Sequence, residues 1–205
     1  MTAATLGNTD HIVIDTDAQE LLFRTARTAN TFSDEPVSEE QIRALYDLVK
    51  WAPTALNAQP LRIVLIRTPE ARERLLTHLS PGNRGKSEAA PLVAILAADI
   101  DFHETLPAVF PHAPGLKDRF TDAERRERTA REQAWLQAGY FIVGVRALGL
   151  AAGPMGGFDA AALDADLLAG TSLRSILVVN IGKPGDDAWF DRLPRLAFED
   201  VTTTL

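Results

Sequence analysis

Cysteine is absent from this 205-residue chain, which excludes disulfides, thiolate nucleophiles and cysteine-ligated metals together. Positive charge is in deficit, because 21 Lys and Arg against 28 Asp and Glu give a formal net charge of −7. This balance argues against nucleic acid as the main partner. No apolar run is long enough to span a bilayer, and the N-terminus lacks the basic and apolar regions of a signal peptide. We therefore expect a soluble, cytoplasmic protein.

Several common catalytic signatures are also missing. The chain has no Gly-x-Gly-x-x-Gly after a strand and no P-loop, so neither a dinucleotide fingerprint nor a Walker phosphate cradle is supported. It has no Gly-x-Ser-x-Gly elbow, although a Ser-His-Asp triad stays open. His103 lies near Asp99, Asp101 and Glu104, but no second close histidine stands at helical spacing, so we expect no metal.

What remains is the composition of an ordinary globular core, with 46% hydrophobic residues. No linker-like run divides the chain, so we predict one domain over residues 1–205, with a mobile arm at 1–14 and a tail at 188–205. Strands are predicted from β-branched, apolar runs at residues 61–67, 91–98 and 173–182. Helical patterns separate these runs, which indicates a layered structure of helices and sheet.

Caps and apolar spacing predict the helices. Ser38 and Gln41 fit a capping box, and so do Thr121 and Glu124, which would open a helix running towards Leu150. The second half of that helix is apolar on nearly every face, so it needs partners on all sides, some of them from a second subunit. Shorter helices are predicted at residues 69–79 and 159–168.

Three stretches between these elements have the character of binding loops. Trp51–Pro60, WAPTALNAQP, is rich in hydrogen-bonding groups and has a proline near each end, and such loops commonly carry function. Ser80–Ser87 is punctuated by glycine and proline and holds Asn83 and Lys86. Asp99–Phe120 is long, irregular and aromatic, which is typical of a substrate lid.

Cations stand near glycines in several of these stretches: Arg27, Lys86, Arg192 and Arg195. A phosphate group is bound well by guanidinium groups and hydroxyls, and a flat heterocycle needs the close backbone approach that glycine permits. The set therefore suits a planar, phosphorylated ligand, although any one of these cations alone is typical of a surface charge.

Four motifs in order make the chain resemble the nitroreductase family of FMN-dependent oxidoreductases. They are Arg27–Phe32, Pro53–Pro60, Asn83 with Lys86 ahead of Ala90-Pro91, and Gly153–Gly157. Five short stretches of sequence resemble the branch that contains malonic semialdehyde reductase of pyrimidine degradation. They are residues 26–30, 50–57, 82–86, 146–159 and 192–196. The family resemblance implies an α+β fold, a three-layer α/β/α sandwich with a mixed central sheet, and an intertwined homodimer.

The resemblance also implies roles around FMN. Arg27 and Thr28, with Arg192 or Arg195, would hold the phosphate. Asn83 and Lys86 would contact the polar edge of the flavin ring. The backbone N–H of Gly156 would approach N5, the atom that carries the hydride, so no side chain is assigned as catalytic.

Further cofactor contacts are implied around these groups. On the same chain they are Asn30, Pro154, Met155 and Gly157, and from the partner subunit they are Pro53, Thr54, Ala55 and Asn57. The chain departs from the family pattern at Asn30, where relatives often have a base, and at Gly156, where some have glutamate. Arg192-Leu-Pro-Arg195 replaces a Lys-x-Arg pair, which leaves open which arginine meets the phosphate.

The activity implied is transfer of hydride from NADH or NADPH through the flavin to a small acceptor in a ping-pong cycle. The acceptor would be malonic semialdehyde, giving 3-hydroxypropionate, a nitro compound or a quinone. Two alternatives stay open: a relative with different flavin chemistry, such as flavin destruction or dehalogenation, and a non-catalytic flavin-binding protein.

Overall fold

The structure is a computed structural model that describes residues 11–205. Of the arm predicted at residues 1–14, residues 1–10 lie outside the described residues. The strands are β1 (Leu61–Ile66), β2 (Leu92–Asp99), β3 (Ala151–Met155) and β4 (Leu173–Gly182). The three predicted strands are confirmed to within a residue at either end, and β3 is an addition.

The helices occupy most of the positions that their sequence patterns predict. They are α1 (Thr16–Gln19), α2 (Glu39–Val49), α3 (Pro69–His78), α4 (Pro81–Ala89), α5 (Leu106–Val109), α6 (Ala123–Ala147), α7 (Ala160–Leu167) and α8 (Phe198–Val201). A π-helical turn, Glu20–Arg24, continues α1. Within residues 11–205 no helix is both long and apolar enough to cross a membrane.

The strands form one sheet in the order β1-β2-β4-β3. Among the described residues every pairing is antiparallel, whereas we expected a mixed sheet. The cause is visible between β1 and β2, where Ile66 at the end of one strand pairs with Val93 near the start of the other. Two helices, α3 and α4, separate these strands, so the chain returns to the end of the sheet that it left.

Strand β2 shows that helices cover both faces of this sheet. Its alternate residues join two different apolar clusters, and all but the last are fully buried. Leu92 and Leu96 pack with residues of α2 and α6, while Val93 and Ile95 pack with residues of α3 and α7. The predicted α+β sandwich of three layers is therefore confirmed.

The helix caps follow the sequence, with one correction. At α2 the Ser38 hydroxyl accepts from the Gln41 N–H at 3.2 Å, and the Gln41 side chain accepts from the Ser38 N–H at 2.8 Å. This confirms the capping box. At α6 the cap is Asp122 rather than Thr121, since the Asp122 carboxylate accepts from the Arg125 N–H at 2.8 Å. Aspartate caps a helix at least as well as threonine.

The second half of α6 is only partly covered by its own chain. Ala134, Ala138 and Phe141 are fully buried against the sheet. Trp135 and Tyr140, on the other side, each keep 49% of their surface exposed. Together with Leu136, which is 53% exposed, they give the helix a broad apolar face, the exposed α6 face, that its own chain does not bury.

Two stretches that we took as irregular contain helix. Residues 81–89 form α4 despite two glycines, since Pro81 suits the first helical position. Asp99–Phe120 holds α5 between the 3₁₀ turns Phe102–Thr105 and Pro114–Arg119.

Both ends of that segment meet one guanidinium. Arg126 of α6 donates to the carbonyl oxygens of Ile100 and Phe120, each at 3.0 Å. The buried ring of Phe102 also packs edge-on against Phe120, with centroids 5.0 Å apart. The segment therefore leaves and rejoins the core at nearly one point.

Candidate functional site

The stretch around Arg27 lies against the outer strand β3. The Ala29 N–H donates to the Ala152 carbonyl at 3.1 Å. A Cβ on Gly153 would stand 2.8 Å from the Ala29 carbonyl oxygen, a distance that side chains do not tolerate against backbone. The close packing of this stretch on β3 therefore requires glycine at 153.

Five of the residues predicted to bind a cofactor meet in one cavity beside β3. The cavity measures about 210 Å³ and is lined by Arg27, Thr28, Asn30, Arg192 and Arg195, with residues of the tail between them. It contains three guanidinium groups and one carboxylate, that of Asp191. A site of this composition, which we call the arginine cavity, suits a phosphate group.

The guanidinium groups in the arginine cavity are held by the backbone. Arg27 donates to the Phe190 carbonyl at 3.1 Å and lies 5.4 Å from the centre of the Trp189 ring. Arg192 donates to the carbonyls of Arg24 and Ala26. Because carbonyls rather than carboxylates fix these two side chains, their positive charge stays available to an anion.

A further arginine behind this cavity, Arg146, begins the matched stretch 146–159 but is not among the residues predicted to bind the cofactor. Burial first, and then the positive charge of Arg192, lower the pKa of Arg146 from its ordinary value. Its Nε is buried and has no hydrogen-bond partner among the described residues. Arg146 adds to the positive potential around the arginine cavity.

The second cluster lies where β3 ends. Asn83 of α4 donates to the Gly157 carbonyl at 2.9 Å, and the Ser80 N–H donates to the same oxygen at 2.9 Å. Lys86 stands one turn along α4 from Asn83, on the same face of the helix. A Cβ on Gly156 would meet no heavy atom of the described chain within 4 Å, so a flat ligand can approach its backbone.

Two of the predicted cofactor contacts, Pro154 and Met155, lie in a strand rather than in a loop. Residues 153–155 belong to strand β3, so only Gly156 and Gly157 of the predicted loop are outside the sheet. The Met155 side chain is buried, with Sδ 3.7 Å from the Ser87 hydroxyl. Met155 can therefore offer a ligand its backbone but not its side chain.

Strand β3 connects the two clusters. Gly153 packs on the Arg27 stretch and Gly157 on Asn83, and the four residue steps between them can span at most about 13 Å. One elongated ligand with an anion at one end and a ring at the other fits this spacing.

The Trp51–Pro60 loop lies on the far side of the sheet. The Ala55 N–H donates to Gln133 of α6 at 2.7 Å, and the Asn57 side chain donates to the Val109 carbonyl at 2.8 Å. Leu56 and Asn57 have positive φ values of 59° and 49°. Leucine rarely adopts this conformation, which is found at functional sites more often than elsewhere.

Within the described chain the loop does not line the arginine cavity. The loop leads into β1 and the glycines follow β3, and these are the two outer strands. Two strands lie between them, which corresponds to about 14 Å across the sheet. Among the described residues of one chain, the two sets therefore do not line a common cavity.

Comparison with known proteins identifies the family. The sequence profile described as the nitroreductase family matches residues 24–183. This chain belongs to the nitroreductase family. A Streptomyces griseus relative with the provisional name NADH dehydrogenase/NAD(P)H nitroreductase is 60% identical, with 95% of this chain and 99% of that protein covered. A Streptomyces coelicolor relative with a similar name is 59% identical over the same shares of the two chains.

Solved structures show the same fold. A nitroreductase from Exiguobacterium sibiricum, crystallised in complex with FMN, superimposes with a TM-score of 0.80. The match covers 93% of this chain and 98% of that one at 18% identity. Membership of the nitroreductase family accounts for the order of the four motifs, and the geometry shows that three of them share the β3 side.

The histidines lie apart from these clusters. His78 Nε2 lies 2.8 Å from Asp166, between α3 and α7, and His103 packs beside Phe102 and Phe120. In the part of the chain that the structure describes, no three His, Asp or Glu side chains converge as a metal site would require.

Proposed function

We propose that this nitroreductase-family protein is an FMN-dependent oxidoreductase that uses NADH or NADPH to reduce a small acceptor. The observation that carries the proposal is the arginine cavity joined by β3 to the Asn83–Gly157 cluster. An anion-binding end and an open backbone that adjoin opposite ends of one short stretch, residues 153–157, fit a phosphorylated flavin. When bound, FMN would supply the hydride chemistry, and the protein would supply binding and electrostatics.

The residues of the arginine cavity hold the phosphate in this proposal. Arg27 offers its guanidinium and Thr28 its hydroxyl. Arg192 and Arg195 line the same cavity, so either reaches a phosphate placed there. Asn30 completes the wall with an amide rather than a charge.

The cluster at Gly157 orients the ring. Asn83 is fixed by its bond to Gly157 and presents its amide oxygen, and Lys86 places a positive charge beside the ring's polar edge. That charge favours electron uptake by the ring. The backbone of Pro154 through Gly157 would contact the ring, and the open space beside Gly156 would admit it.

The second half of the site comes from a second chain in this proposal. Pro53, Thr54, Ala55 and Asn57 would cover the ring from the partner subunit, which makes the protein an intertwined homodimer. The exposed α6 face and the apolar residues of the tail, 188–205, would supply the buried surface. In that tail Phe190, Leu196 and Phe198 are each more than 70% exposed.

The acceptor is a small aldehyde such as malonic semialdehyde, a nitro compound or a quinone. The experiment that tests the function is purification with added FMN, followed by anaerobic titration with NADH and NADPH. We expect a yellow dimer whose flavin absorbance bleaches with one nicotinamide and returns when an acceptor is added. A colourless protein that takes up no FMN would end the proposal, and flavin that no nicotinamide bleaches would leave only a binding protein.

A further inference from the structure

A second cavity lies beside the Trp51–Pro60 loop. It measures about 370 Å³ and has Leu56 on one side. The other side is formed by the 99–120 segment, through Phe110, Pro114, Leu116 and Arg119. Its volume and mostly apolar lining are those of a small-molecule site.

The cavity is fixed to the loop that would face the ring. Leu56 stands between Ala55 and Asn57, and the Asn57 side chain is bound to the Val109 carbonyl at 2.8 Å. This bond makes the loop and the 99–120 segment one wall. A small molecule lying on the ring would therefore have the cavity beside it.

Arg119 gives this cavity its charge. Of the described residues that line it, Arg119 alone is charged. Its neighbours are already paired, since Lys117 lies 3.2 Å from Glu104 and Arg126 lies 3.6 Å from Asp101. Arg119 has no ion-pair or hydrogen-bond partner among residues 11–205. Arg119 is exposed, and an unpaired guanidinium beside apolar residues is suited to a carboxylate on a small carbon skeleton.

We propose that this cavity, which we call the acceptor cavity, selects acceptors that carry a carboxylate, through Arg119. The inference rests on the proposed function. For a carbonyl acceptor the balance is simple: NAD(P)H gives one hydride to the carbonyl carbon by way of the cofactor, and the oxygen takes one proton from solvent. The products are the alcohol and NAD(P)⁺, and the carboxylate stays unchanged as the group that Arg119 holds.

The experiment compares matched ligands with and without charge. Fluorine NMR would measure binding of para-fluorobenzoate and para-fluorobenzamide to the full-length, FMN-loaded protein. Steady-state kinetics would then use para-nitrobenzoate and para-nitrobenzamide as acceptors with NADH and NADPH. The variants are Arg119→Gln, Arg119→Lys and, as a control with the same charge change on the exposed start of α6, Arg125→Gln.

We expect Arg119→Gln to weaken fluorobenzoate binding and raise KM for nitrobenzoate by roughly tenfold or more, the scale of a charge-assisted hydrogen bond. The amides, FMN content and both nicotinamide KM values should not change. Arg119→Lys should keep part of the preference, and Arg125→Gln all of it.

Three results would contradict the proposed role of the acceptor cavity. The first two are an unchanged preference for the carboxylate ligands in Arg119→Gln and an equal loss of that preference in Arg125→Gln. The third is a raised KM for NADPH alone, which would assign Arg119 to nicotinamide binding. Failure to load FMN is read separately from the flavin absorbance. That result would reject the proposed function rather than the role of Arg119.

Discussion

The two outer strands of the sheet differ in what they carry. Beside β3 lie three guanidinium groups, held mainly by backbone carbonyls, and glycines whose backbone is open or closely packed. Beside β1 lies a loop of amides and small residues, with a leucine and an asparagine at positive φ. The β3 side can hold a phosphate, while the loop beside β1 offers amides and small residues that could cover a ring. Each side therefore offers what the other lacks, and a second copy of the chain can bring them together.

Two glycines on the β3 side differ in how closely they are packed, and substituting them gives the largest expected effect. Gly153→Val places a side chain against the Ala29 carbonyl, so we expect about 2–3 kcal/mol of lost stability, the usual scale of overpacking. Gly156→Val meets open space and should change stability by less than about 0.5 kcal/mol, yet prevent normal flavin seating. Urea unfolding and the flavin spectrum measure the two effects. Equal destabilisation of both variants would contradict the distinction.

Charge on the β3 side is tested next. Arg27→Ala should weaken FMN binding by about 1.5–3 kcal/mol, because it removes a charged hydrogen bond to phosphate. Fluorescence titration with FMN measures this, and Arg125→Ala serves as the exposed control on α6. If the two variants bind FMN equally well, Arg27 is not part of the site.

Mixing variants tests whether the two sides meet across a dimer. A chain with Arg27→Ala and a chain with Asn57→Ala would be co-expressed with different tags, and the heterodimer purified. If each site takes Arg27 from one chain and Asn57 from the other, one site of two is intact. We then expect about half of the wild-type activity, as complementation predicts. No recovery over the two homodimers would place both residues in the same site of a single chain.

The smallest expected effect concerns the ion pairs that Asp166 of α7 makes with Arg74 and His78 of α3. Hydrogen bonds from Arg74 and then from His78 lower the pKa of the Asp166 carboxyl. Because the folded-state pKa is lowered, the ionised carboxylate stabilises the fold above the unfolded-state pKa of about 3.9. This stabilisation is lost as the pH falls through the folded-state pKa. Asp166→Asn should therefore lower Tm slightly at neutral pH, and the difference should shrink below about pH 4. Asp118→Asn is the exposed control, and a difference that grows in acid would contradict the assignment.

Local chemistry explains what the sequence could predict. The Ser38 cap, the apolar run of β2 and the strand β4 are set by neighbouring residues, and each lies where we expected it. Strand β3 was missed because Gly153 and Pro154 are typical of loops. Proline is tolerated there because β3 is an outer strand, where a missing N–H leaves no neighbour unpaired.

Tertiary contacts explain the rest. The turns of the 99–120 segment depend on the burial of Phe102 and on Arg126, and neither is readable from local spacing. The arginines of the site were recognised where a motif surrounds them, as at Arg27. Arg119 lies in no motif, Arg146 begins a matched stretch without an assigned role, and only their surroundings in the fold single them out. The pairing of the two outer strands across a dimer stays a prediction.

The hydrogen bonds from Arg126 to both ends of the 99–120 segment have a consequence for how related sequences can diverge. Ile100 and Phe120 are bound by one side chain, and Phe102 and Leu106 between them are buried in the core, so the exposed parts of the segment can vary between fixed points. Changes confined to the turn Pro114–Arg119, which has no buried residue, would leave the sheet undisturbed. The preference for an acceptor could thus change through substitutions in one short stretch of the sequence, without a change of fold.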